Sequence, residues 1–300
     1  MGDTRKKRHT RDEPRLARQL FQRGLAFTGE GLYAEAAAAY HEVLTLRPRN
    51  QPAWFNLGLV YKRLHRWPES LRCNQRAAEL DPKDEAAWWN MGIAATALRD
   101  WRAARAAWRG FGLKVPDGDG PIVADYGITC VRLNPDGSGE VVWCDRVDPA
   151  RAIVRNVPLP ESGHRWGDCV LHDGEPKGQR LAGGRRYPVF DELERWEASA
   201  TPTFGVEAVA PAPEDAAALT ALFEAHGLAA EDWTRSIRRL CRACSEGTPC
   251  EQHGAPADSG EWDPERAFGL AAPRETAEAL LARWAAQSPG RRYEALELVA

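Results

Sequence analysis

The sequence predicts a multidomain chain: an N-terminal all-α solenoid of three helical hairpins, then a β-rich small barrel or bent sheet, then an α+β C-terminal portion. Three observations carry this. Residues 17–116 repeat at a fixed spacing, and the run Pro116-Asp117-Gly118-Asp119-Gly120-Pro121 breaks any helix. Beyond that run the apolar residues fall into short stretches between turn residues, and after Phe204 into mixed strand and helix patterns. The expected divisions are a basic flexible tail over 1–16, repeats over 17–116, a linker over 117–121, a β-rich domain over 122–200 and an α+β domain over 201–300.

Leu20, Trp54 and Trp88 stand 34 residues apart in both intervals. The register holds at Gly24, Gly58 and Gly92, at Tyr33, Trp67 and Trp101, at Ala36, Ser70 and Ala104, and at Pro48, Pro82 and Pro116. Each unit offers an apolar helix, a short turn near the aromatic, a second Ala-rich helix and a proline that stops it. The small residues let the paired helices approach, and the glycines sit where the next helix crosses. One unit cannot bury its own apolar face, so about three must stack before the array is stable.

Period and residue order resemble the tetratricopeptide repeat over residues 17–116, with Arg23 and Ala95 departing from the usual Leu and Tyr. The resemblance implies that the first helix of each hairpin lines a concave groove. The positions that face it there hold Phe21, Phe55 and Trp89, then Leu25, Leu59 and Ile93, with Lys62 and Arg63 toward the end of the first helix of the second unit. Members that grip a C-terminal carboxylate carry Lys and Asn where this chain has Phe21 and Leu25, so the row reads as a receptor for a helix or apolar peptide. Trp54 and Trp88 are expected to pack between helices. An apolar row left bare invites aggregation, so its cover is either a protein or peptide partner or the chain's own C-terminal half.

Composition narrows the classes. Of 300 residues, 43% are apolar and 28% charged, as in soluble globular chains. No apolar run reaches about 18 residues, which argues against a membrane-spanning helix. Met1–Arg15 is polar and basic, unlike a signal peptide, and Lys6 argues against myristoylation, so a cytoplasmic location is expected. Arg outnumbers Lys by 34 to 6, a bias that fits a GC-rich bacterial genome. Residues 1–116 hold 21 Lys and Arg against 12 Asp and Glu, whereas residues 117–300 hold 19 against 31, so the two parts carry opposite charge.

In the middle stretch, Tyr126–Leu133 and Glu140–Val147 flank the hairpin signal Asn134–Gly139. Ile153–Val157 and Cys169–His172 read as further strands, with a turn at Asp173–Pro176 leading to Gln179–Leu181. His164, Asp168, His172 and Asp173 are the residues an enzyme would use here, but no nucleophile elbow, phosphate loop or hydrolase signature surrounds them. Trp166, flanked by Arg165 and Asp168, reads instead as an interaction loop. Further on, Phe204–Val209 reads as a strand, Glu214–His226 as a helix capped by Gly227, Glu231–Leu240 as a second helix, Arg274–Gln287 as a third, and Tyr293–Val299 as a closing strand.

Seven cysteines in a reducing compartment point to metal or redox chemistry where they cluster. Cys241, Cys244, Cys250 and His253 form C-x2-C-x5-C-x2-H, a donor set for one structural zinc that would stand in for a core in a polar segment. Cys73, Cys130, Cys144 and Cys169 are scattered and expected to be buried as small apolar groups. The basic start, Arg5 to His9 with Arg11, Arg15 and Arg18, lacks interleaved aromatics, so nucleic acid is not the expected partner. The expected function is an interaction or adaptor protein that binds a partner in the repeat groove, in its narrowest form by neutralising a cognate bacterial toxin. The rivals are a hydrolase-like enzyme centred on the middle stretch and an RNA-associated zinc-binding factor; no catalytic residue is assigned.

Overall fold

The computed structural model describes residues 4–137, 139–234 and 262–300, with side chains from Glu13 onward. The chain divides into two compact units, Met1–Val123 and Ala124–Ala300. The first contains six helices: α1 (Thr4–Gly29), α2 (Tyr33–Leu46), α3 (Gln51–Arg63), α4 (Trp67–Leu80), α5 (Glu85–Ala97) and α6 (Trp101–Gly110). Residues 4–16, expected as a flexible tail, continue α1 as helix; Arg, Lys and Glu are good helix formers, and the 26-residue helix propagates from a packed C-terminal half.

The repeat is visible in the hydrogen bonds as well as in the residues. The indole N–H of Trp54 donates to the Pro48 carbonyl at 2.9 Å, and that of Trp88 to the Pro82 carbonyl at 3.0 Å. Asn50 and Asp84 cap α3 and α5 by accepting from Ala53 N and Ala87 N. Each hairpin turn carries one left-handed residue at the same repeat position, Gly31 (φ 76°), His65 (φ 54°) and Arg99 (φ 58°). The following amide reaches back five residues, Leu32 to Phe27, Arg66 to Tyr61 and Asp100 to Ala95, each at 2.9 Å, which satisfies the last carbonyls of the helix. Gly24, Gly58 and Gly92 are needed because a Cβ there would sit 2.5–2.6 Å from Tyr40, Asn74 and Trp108 of the second helix.

The linker that follows α6 is held rather than free. Arg105, buried on α6, donates to the carbonyls of Pro116 at 2.9 Å and Gly120 at 2.8 Å.

The second unit begins with a closed five-stranded barrel, β1 (Ile128–Leu133), β2 (Glu140–Arg146), β3 (Arg151–Val154), β4 (Cys169–Ala182) and β5 (Arg185–Glu197), in that order. Neighbours are antiparallel, and β1 closes on β5 in parallel through Cys130↔Val189 and Val131↔Phe190. Val131, Leu133, Val142, Cys144, Ala152, Val154 and Val170 fill a buried core. The expected turn at Asp173–Pro176 is not a turn. β4 runs through it, absorbing Gly174 and Pro176 as register shifts between His172 and Gly178, and the hairpin turns ten residues later at Gly183-Gly184, both left-handed.

The remainder is α+β: β6 (Thr203–Val209), α7 (Pro213–Glu224), β7 (Ala229–Asp232), β8 (Glu265–Ala271), α8 (Arg274–Ala286), and the two-residue strands β9 (Arg292–Tyr293) and β10 (Glu297–Leu298). Strand order β10-β6-β8-β7, with β9 also on β6, is that of a split β-α-β, β-α-β arrangement. Phe204, Val206, Phe268 and Leu270 from the sheet pack with Leu219, Phe223, Leu281 and Trp284 from α7 and α8. A helix expected from Glu231 is corrected at its start: Glu231 and Asp232 pair with Gly269 and Phe268 as strand, because the sheet supplies partners that a free helix end lacks.

Barrel and sheet are bolted together within this unit. The Glu231 carboxylate accepts from Asn156 Nδ2 at 2.9 Å and Val157 N at 2.8 Å, and the Trp233 indole N–H donates to the Val157 carbonyl at 2.9 Å. Trp233 lies flat on the sheet over Gly269, where a Cβ would come within 2.2 Å of its ring. Among the described residues, no helix is long and apolar enough to cross a membrane.

Candidate functional site

The first helices of the repeats place the expected row unevenly. Phe21 is half-buried, its ring tilted against Tyr40 at 5.7 Å. Phe55 is half-buried against the cluster of Ala77, Ala78 and Ala87. Trp89 is wedged edge-on between Trp108 at 5.1 Å and Phe111 at 4.8 Å. One step along, Leu25 is 39% exposed, Leu59 is half-buried and Ile93 is fully buried. Of the two basic positions, Arg63 is exposed and Lys62 is buried. The row therefore opens toward the first repeat and closes at the third: Phe21, Leu25, Phe55 and Leu59 keep surface a ligand can reach, while Ile93 and Lys62 have none to give. The cause lies in α5, apolar on every side and buried over most of its length, as a helix with no polar face must be.

At the open end lies a cavity of about 930 Å³ between α1 and the turn from α2 to α3. Phe21, Leu46 and Pro48 give it apolar walls, and Arg18, Arg47 and Arg49, all exposed, surround them with positive charge. These arginines were not singled out by the groove positions. A signal was present, since Arg47 and Arg49 correspond at a spacing of 34 to Asp81 and Lys83, so the first turn alone is doubly basic.

The residues an enzyme would use in the barrel unit are differently placed. His164 is buried between two carboxylates, Asp168 at 3.2 Å from Nδ1 and Glu192 at 3.1 Å from Nε2. Burial pulls its pKa down, but hydrogen bonds to Asp168 and Glu192 outweigh that and hold it up at about 9. Both carboxylates are further satisfied, Asp168 by the backbone N–H of Arg165 and Ser199, Glu192 by that of Asn134. His172 stacks on Phe190 at 5.0 Å and donates from Nδ1 to the Asp173 carbonyl at 2.7 Å. Complete burial drives its pKa down to about 4, so it is neutral at physiological pH. His164, Asp168 and Glu192 form a buried hydrogen-bonded network that pins the 159–168 loop to β5, while His172 Nε2 is buried with no hydrogen-bond partner among the described residues.

Cys73, Cys130, Cys144 and Cys169 are free and buried. The zinc pattern Cys241, Cys244, Cys250 and His253 lies outside the described residues. Among the described residues, no group of three or more His, Cys, Asp or Glu is arranged to hold a metal.

Residues 27–92, from the end of α1 into α5, match the family model described as a tetratricopeptide repeat. No curated protein matches the chain. Among solved structures, the first TPR of Spaghetti (RPAP3) bound to the HSP90 peptide SRMEEVD is 23% identical, with 32% of this chain aligned to 77% of that one at a TM-score of 0.31. The Sgt2 TPR domain from Aspergillus fumigatus is also 23% identical, covering 32% of this chain and 63% of that one at a TM-score of 0.30. The TPR2B domain of yeast Sti1 in complex with an Hsp70 peptide is 20% identical over 32% of this chain and 76% of that one, at a TM-score of 0.30. The peptides named belong to those proteins. The match to that family model covers residues 27–92, and the barrel and the α+β part lie beyond it.

Proposed function

We propose that the chain is an interaction protein whose repeat array holds an acidic, apolar-anchored segment of a protein partner. The observation that carries this is the cavity where half-buried Phe21 meets the exposed Arg18, Arg47 and Arg49, with Leu25, Phe55 and Leu59 also keeping surface on the first helices of the first two repeats. An apolar side chain of the partner contributes burial at about 25 cal/mol per Å². Carboxylates nearby match the arginine forks, which adds orientation and association rate more than affinity.

Selection from a random peptide library on the full chain tests the reading. Enriched peptides are expected to combine Asp or Glu with Leu, Phe or Trp. Leu25→Glu, at an exposed position that leaves the core intact, is expected to weaken the best of them by about tenfold or more. Enrichment without acidic residues, or binding indifferent to Leu25→Glu, overturns it. In its narrowest form the partner is a toxin that the chain neutralises, and co-expression with a candidate toxin would then lose its protection in the same variant.

A further inference from the structure

The outer face of the barrel carries a second surface that the repeat array does not explain. The second half of β4 and the first half of β5 form a hairpin that continues onto β1 and β2, so Arg180, Tyr187 and Trp143 come side by side through the pairs Arg180↔Tyr187, Cys130↔Val189 and Cys130↔Trp143. Trp143 and Tyr187 stand edge to face, 5.0 Å apart at 88°. They line a cleft of about 290 Å³ with Ile128, Arg155, Asn156 and Ala182. Beneath them Cys130, Val141 and Val189 are buried, which fixes both rings on a rigid floor.

The rim is basic out of proportion to its surroundings. Residues 176–187 hold Lys177, Arg180, Arg185 and Arg186 and no Asp or Glu, in the part of the chain where acids outnumber bases by 31 to 19. Lys177 pairs with Glu175, and Arg180 hydrogen-bonds the Cys130 thiol within reach of the Glu140 charge, whereas Arg185 has no carboxylate partner among the described residues. Arg180 lies over Trp143 at 5.8 Å and Arg185 over Tyr187 at 5.7 Å, so guanidinium and ring already stack. Burial lowers the pKa of Arg180 from the ordinary arginine value, the signature of a cation short of solvent. Arg155 faces Asp145 at 3.4 Å with both half-exposed, a pair of little strength that an incoming anion can replace.

We propose that this face binds single-stranded nucleic acid, with a base seated against Trp143 and Tyr187 and the phosphates of its neighbours on Arg155 and Arg185, which share that face. Flat rings set at a right angle suit a planar base, which has a π-face whatever its identity, better than the branched side chain of a peptide anchor. The arginine rim supplies the sequence-independent term that phosphate contacts bring. This surface shares no residue with the repeat array, and its fate leaves the peptide-binding reading untouched.

Fluorescence anisotropy of a labelled oligouridylate and an oligothymidylate of about 12 nucleotides, titrated with the full chain at several salt concentrations, tests it. Binding is expected to weaken with salt. The double variant Arg155→Glu with Arg185→Glu, at exposed positions, is expected to weaken it by about tenfold or more and to make the salt slope shallower by about 2. Trp143→Leu is expected to cost about tenfold while leaving that slope unchanged, since it removes stacking and no charge. Thermal melting shows that each variant is folded. Absence of binding at low salt overturns the proposal. So does binding that the double variant retains, which places the nucleic acid elsewhere, on the basic N-terminal segment for instance. Equal displacement by polyglutamate assigns the face to an acidic peptide and overturns it as well.

Discussion

At the scale of single residues, the clearest case is His164. A histidine between Gly163 and Gly167, four residues before an aspartate, reads from sequence as a candidate acid–base group, yet the fold uses it as the cation between Asp168 and Glu192. Its proton is held to about pH 9 in the folded chain and released near 6.5 in the unfolded one. The stabilisation is thus complete below about pH 6.5 and fades as pH rises through about 9. His164→Gln is expected to destabilise the protein by on the order of 3 kcal/mol near pH 6, with the gap to the parent shrinking toward pH 10. Denaturant unfolding of both proteins across that range checks this, and a gap that does not change with pH would refute it. Leu25 and Ile93 teach the converse lesson. Sequence gives them the same repeat position, but only packing decides that one is open and the other sealed.

At the scale of elements, the helical hairpins are set by local chemistry repeated three times, a glycine under a side chain of the second helix and a left-handed residue in the turn, with caps at Asn50 and Asp84 in the second and third. His65 and Arg99 adopt the conformation that Gly31 adopts in the first repeat, at a cost of about 1–2 kcal/mol each for a residue with a Cβ. His65→Gly and Arg99→Gly are therefore expected to raise stability by up to about 1 kcal/mol apiece, the left-handed strain relieved less the entropy glycine loses on folding. A lowered melting temperature in both would show that their side chains matter more than the backbone strain. The β4–β5 hairpin was harder to read. Asp173-Gly174-Glu175-Pro176 has every residue type of a turn, and only pairing with Phe190 and Glu192 across the barrel keeps the strand running through it. Its true turn, Gly183-Gly184, is the stronger hairpin signal of the two.

At the scale of the whole molecule, the second unit depends on a few contacts between distant segments. Glu231 and Trp233 fasten the α+β sheet to the barrel through Asn156 and Val157, about 75 residues earlier in the chain. Glu231→Ala leaves the Val157 amide and the Asn156 side chain without their acceptor and is expected to cost about 1–3 kcal/mol, with Glu231→Gln keeping part of it. Urea unfolding reads the effect. An unchanged midpoint would mean that barrel and sheet hold together by apolar packing alone. The two units serve different surfaces, an arginine-rimmed apolar row on one and an arginine-rimmed aromatic cleft on the other.

The sequence by itself determined the repeat, its helix pairs and crossing glycines, because each depends on residues within one 34-residue unit and recurs often enough to be seen. It also determined that a β-rich and then an α+β portion follow, since apolar periodicity is a local property. Only the tertiary structure decided which members of the apolar row stay open, that Arg18, Arg47 and Arg49 gather at one cavity, that His164 is locked between carboxylates, and that Trp143 meets Tyr187. Each of these joins residues separated by tens of positions through strand register or helix stacking, and burial and charge pairing over such distances follow from the packed fold and leave no trace in any short stretch of chain.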